Sequence, residues 1–120
     1  MGKPFDDNFN NITRQIVKKS LFTDRQIEII LKRRNLASPE LAISKGAFYR
    51  QVSQCRAKLL ALCYSWMLFR GLGILRAEDV DVINRLSEQV SVIKNSDVFP
   101  EREEEVMSVI QELLNRICKL

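Results

Sequence analysis

The chain has 120 residues, 46% of them apolar and 28% charged, with only four glycines and three prolines. That length suits one domain or a small domain with a helical extension, and the composition favours helices over a sandwich or barrel. Three cysteines without a CxxC spacing, and no histidine, leave a closed zinc site short of ligands and remove the commonest general base. The expectation is therefore no metal, no cofactor and no small-molecule substrate.

Charge is distributed unevenly. Residues 1–60 carry 12 Lys and Arg against 5 Asp and Glu, whereas residues 61–120 carry 7 against 10. A basic front half suits a polyanion, and the back half suits another task. The first residues, Met1 to Asp7, contain no apolar signal stretch. Gly2 is followed by Lys3-Pro4 and an acidic pair, which argues against myristoylation. With an odd number of cysteines, this points to a cytoplasmic protein with reduced thiols.

In chain order, the first predicted helix runs from about Asn8 to Lys19, with Asp6 and Asp7 capping it and Lys18-Lys19 at its end. Phe9, Ile12, Ile16 and Val17 make its apolar stripe. The second helix starts at Thr23, where Gln26 completes a capping box and Phe22 can staple onto Ile27. Its predicted inward face is Ile27, Ile30 and Leu31, with Ile29 at the margin, and Lys32-Arg33-Arg34 close it. Ser38-Pro39-Glu40 signals a short third helix to about Ile43. Ser44 caps a long helix from Lys45 to about Phe69, ending near Gly71 and Gly73; one continuous helix from Pro39 is the alternative.

The run Leu59–Phe69 is the most apolar stretch, and it is too short to span a bilayer, which takes about 20 residues. It suits a buried core helix or a dimer-interface helix. A C-terminal hairpin follows. Ile83, Leu86, Val90 and Ile93 line one helix, and Val106, Ile110, Leu113, Ile117 and Leu120 line the next, each at heptad spacing. Two such helices joined by a short loop pair antiparallel, within a chain or across a dimer. The fold class is all-α: a helix-turn-helix unit with a long central helix in residues 1–70, and an antiparallel helical hairpin for dimerisation or docking in 71–120.

Phe22-Thr23-Asp24-Arg25-Gln26 followed by Ile27, Ile29, Ile30 and Leu31 resembles the opening helix of the helix-turn-helix module found in sigma-factor region 4, response-regulator output domains and archaeal Tfx-type regulators. Ile43-Ser44-Lys45-Gly46-Ala47-Phe48-Tyr49-Arg50 resembles the start of the recognition helix of that module. The resemblance covers residues 22–59 and implies double-stranded DNA as partner. The link between the two helices is several residues shorter than in that family.

Residue chemistry points the same way. A helix in the major groove offers its first two turns to base edges. Here those turns hold Lys45, Ala47, Tyr49, Arg50, Ser53 and Gln54. Arg50 and Gln54 share a face and pair naturally with guanine and adenine. Phe48, Val52, Cys55 and Leu59 form the opposite, inward stripe. Lys32, Arg33, Arg34, Arg56 and Lys58 are placed to neutralise phosphates, which sets affinity without reading sequence.

The sequence lacks GxxxxGK[ST], GxSxG and GxGxxG motifs, and catalysis has no visible support. The expectation is a non-enzymatic, sequence-specific transcription regulator, dimeric through 59–120 and without a membrane partner. Two alternatives stay open: a helical adaptor that binds an acidic partner through the basic half, and a structured-RNA binder, for which the aromatic content is low.

Overall fold

The computed structural model describes residues 9–94 and 98–120. Within them the chain forms five helices and no strand: α1 (Asn11–Lys19), α2 (Asp24–Arg33), α3 (Lys45–Gly71), α4 (Ala77–Ile93) and α5 (Pro100–Ile117). The all-helical expectation holds. Asp6 and Asp7 lie outside the described residues, and Asn10 is the residue that caps α1, its side chain accepting from the Thr13 N–H at 3.0 Å. Asn10 also joins distant parts of the chain. Its backbone N–H donates to the Lys94 carbonyl at 2.9 Å, and its side-chain amide donates to the Ile93 carbonyl. The carbonyls that α4 leaves open at its end are thereby satisfied by the start of α1.

The remaining helix ends follow from their local residues. Thr23 and Gln26 form the expected reciprocal box at the start of α2. Ser44 accepts from the Ala47 N–H at 3.1 Å to start α3. Both α2 and α3 stop in the same double-bonded turn. After α2, Asn35 takes a φ of 57°, while the Asn35 and Leu36 N–H groups donate to the Lys32 and Leu31 carbonyls. After α3, Gly73 takes a φ of 77°, with the Gly73 and Ile74 N–H groups on the Arg70 and Phe69 carbonyls. This closure needs a left-handed residue, for which glycine and asparagine carry the least steric cost.

Three expectations are corrected. Residues 37–42 form no helix, so the short third helix at Pro39–Ile43 does not exist and α3 begins afresh at Lys45. Five residues between one capping signal and the next close barely one hydrogen-bonded turn, too few to offset helix nucleation. Pro39 is instead buried in an irregular link. On α2 the inward face is rotated from the predicted one. Ile29 is 0% exposed and Gln26 is buried, whereas Ile27, Ile30 and Leu31 are half-buried. The third correction concerns the apolar second half of α3, for which a place in the chain's own core was one of the two expectations: every residue from Leu60 to Ile74 is exposed.

The reason lies in the packing order. The principal helix contacts run α3–α2–α1–α5–α4, so the two helices joined by residues 72–76 are not principal partners. The buried apolar positions are correspondingly few: Ile12, Val17, Ile29, Cys55 and Met107. α1 bridges the two expected units, touching both α2 and α5. At 27 residues and about 1.5 Å per residue, α3 is about 40 Å long, close to the 43 Å maximum extent of the molecule. The radius of gyration is 16.0 Å, against roughly 13–14 Å for a compact chain of this length. α3 therefore projects beyond the helices that hold it.

Candidate nucleic-acid interface

α2 and the first half of α3 form the basic end of the molecule. The predicted inward stripe of α3 is found where expected: Cys55 is 3% exposed, and Phe48, Val52 and Leu59 are half-buried. Packing that stripe against α2 turns Lys45, Tyr49, Arg50, Ser53 and Gln54 outward, all exposed. Ala47 is half-buried and stands apart from the other proposed readers. Tyr49, 48% exposed, lies edge-on to the Phe48 ring at 5.6 Å, with its own ring outside the core.

The junction between the helices is held by a knot that the sequence did not reveal. The Gln26 side-chain oxygen accepts from the Thr23 N–H at 3.0 Å and from the Lys58 ammonium at 2.9 Å. Lys58 also donates to the Leu21 carbonyl at 2.8 Å and stands 5.6 Å from the centre of the Phe22 ring. One turn away, the Cys55 thiol donates to the Gln26 carbonyl at 3.7 Å. Burial pushes that thiol above its ordinary range, and the Lys58 ammonium pulls it partly back. Lys58, expected on phosphate, is thus engaged in fastening α3 to the start of α2. The capping box of Gln26 was legible, but its second partner comes from 32 residues further along and required the packed helices.

The other cations remain available. Lys32, Arg33, Arg34 and Arg56 are exposed, with Lys32 at 6.0 Å from the Phe48 ring centre. Among the described residues, the ion pairs are Arg76–Glu78, Arg76–Asp79, Arg102–Glu105 and Arg116–Glu112. All belong to α4, α5 or their flanks and take up four of the back half's acidic residues, and among the described residues no basic side chain of α2 or α3 forms an ion pair. Between α2 and α3 lies a cleft of about 310 Å³, floored by Ile29, Ile30, Val52, Cys55 and Leu59 and rimmed by Arg33, Arg34 and Arg56.

No helix among the described residues is long and apolar enough to cross a membrane, and none of their acidic or cysteine side chains cluster as metal ligands. No protein-family model, curated protein or solved structure matches the chain.

Proposed function

We propose that this chain is a sequence-specific, non-enzymatic DNA-binding regulator that places the first two turns of α3 in the major groove and acts as a dimer. The observation that carries the reading is the pairing of an outward polar face on α3 with unpaired cations on both helices around it. Arg50 and Gln54 are four residues apart and exposed on one side of α3, where they suit guanine and adenine edges. Lys32, Arg33, Arg34 and Arg56 supply phosphate contacts, and Lys58 holds the reader in place. The resemblance of residues 22–59 to the sigma-region-4 and Tfx-type module supports the same reading, with an irregular link where that module has a helix.

Selection of bound duplexes from a random pool tests this directly. A defined site is expected, with affinity falling steeply as salt rises. Arg50→Ala should relax base preference at one position at a cost of about 1–3 kcal/mol, whereas Lys32→Ala should weaken all sequences alike and lower the salt slope by about one. Absence of duplex binding at low salt refutes the proposal.

The arginine-rimmed cleft favours a second reading. Its apolar floor and three guanidinium groups suit an acidic amphipathic helix, as an adaptor would bind. In that case a complex forms with an acidic helical peptide, and duplex DNA neither binds nor competes.

A further inference from the structure

The arm from Leu60 to Ile74 is the largest unexplained feature of the molecule. It carries nine large apolar side chains, each between 37% and 66% exposed. Taking full exposure as roughly 150–250 Å² for an aromatic side chain and somewhat less for an aliphatic one, they present on the order of 900 Å² of apolar surface. A standard interface needs about 800 Å² per partner. The surface also divides into two. Leu60, Tyr64 and Met67 lie along one side of the helix, and Leu62, Trp66 and Phe69 lie along the opposite side, both at heptad spacing. A helix apolar on two opposite sides requires two covering surfaces.

The same chain carries a concave counterpart. α1, α4 and α5 enclose an open groove of about 750 Å³ whose apolar wall includes Ile16, Ile83, Leu86, Val90, Ile110 and Leu114. Among the described residues Lys19 is the one charged residue in its lining, and the arm carries no charge from Leu60 to Phe69 and only Arg70 beyond that. A ridge and a groove that are both nearly uncharged are thus exposed on one molecule, and the principal helix contacts do not bring α3 to α4 or α5.

We propose that the partner of the arm is a second copy of this chain, held by reciprocal exchange. Each arm seats its Trp66 side in the groove of the other chain, and the two Tyr64 sides meet at the two-fold axis. The two chains then bury both sides of both arms in a closed, isologous contact, whereas a one-way arm-to-groove contact would build a larger ring or an open fibre. This inference rests on the assembly part of the reading above and stands independently of the DNA part.

Trp66 is the chain's sole tryptophan, so its emission reports the contact directly. Light scattering of the full chain at tens of micromolar is expected to give twice the chain mass, with Trp66 emission moving to longer wavelength on dilution. Trp66→Glu on the arm and Leu86→Glu in the groove should each raise the dissociation constant at least about a hundredfold. Gln111→Arg, at an exposed position on the groove rim, should weaken the dimer in the same direction without touching the monomer's core. Mixing the Trp66→Glu and Leu86→Glu chains restores one arm-in-groove contact, so a heterodimer forms and the remaining Trp66 shifts to shorter wavelength. A monomeric mass for the unaltered chain overturns the inference, as does a dimer indifferent to both groove variants or a mixture that fails to pair. A monomer that still selects a DNA site would leave the DNA reading standing, and a dimer that binds no duplex would do the reverse.

Discussion

Lys58 and Gln26 offer the sharpest test of how α3 is held against α2. Gln26→Ala removes the side-chain acceptor for the Thr23 N–H and for the Lys58 ammonium. The lost half of the capping box contributes about 0.5–1 kcal/mol, and the lost charge-assisted bond adds about 1–1.5 kcal/mol once discounted for the partial solvent access of Lys58. The expected cost is therefore about 2 kcal/mol. For a chain of this size that lowers the melting temperature by roughly 6–8 °C. Lys58→Met keeps the aliphatic stem and removes the ammonium with its bonds to Gln26 and to the Leu21 carbonyl, at an expected cost of about 1.5–2 kcal/mol. Because the two side chains share one bond, the double variant should cost less than the sum, with a coupling of about 0.5–1.5 kcal/mol. Urea unfolding of the wild-type, two single and one double variants, at one fixed protein concentration, measures this cycle. Additivity within about 0.3 kcal/mol would refute the account, because it would mean that the Lys58–Gln26 bond does not fasten α3 to α2.

Other perturbations separate further features of the fold. Ile29→Ala, at a position 0% exposed where α2 meets its neighbours, should cost about 2–5 kcal/mol in the same unfolding assay. Gly73→Ala should cost about 1 kcal/mol through its φ of 77° alone, since nothing lies within 4 Å of the added carbon, while Gly46→Ala should stabilise by up to about 1 kcal/mol at a helical position that is equally open. The three thiols should label at different rates: Cys118 fast, Cys63 fast in dilute protein and slower in the proposed dimer, and Cys55 slowest because it is buried. The raised Cys55 pKa has a defined sign. Its contribution to stability is complete below the ordinary thiol range and is lost as pH rises through the raised value, so unfolding free energy should fall there in wild-type and fall less in Cys55→Ala.

The sequence by itself determined the five helices and several of their ends, because those are local decisions. Thr23 with Gln26, Ser44 with the Ala47 N–H, and the glycines after Phe69 each act within a few residues of where they sit, and the structure uses all of them. The inward stripe of α3 was legible for the same reason, being a periodicity of 3.6 against one neighbouring helix. The limits of local signals also show. Pro39 carried a helix start into a segment too short to hold one. On α2, four apolar residues within five positions left the facing angle open until Ile29 met its neighbours.

Only the tertiary structure decided what each face meets. It committed Lys58 to Gln26 and Leu21 rather than leaving it exposed like Lys32, Arg33, Arg34 and Arg56. It left Arg50 and the Lys32–Arg34 run without ion pairs among the described residues, with Gln54 exposed beside Arg50. It also turned the most apolar stretch of the chain outward. Hydropathy reports that a segment avoids water, whereas the choice between covering it within the chain or with another one depends on which helices pack. Here α4 packs with α5, and α3 packs chiefly on α2. The arm therefore stays uncovered within one copy of the chain, which also carries the apolar groove between α1, α4 and α5.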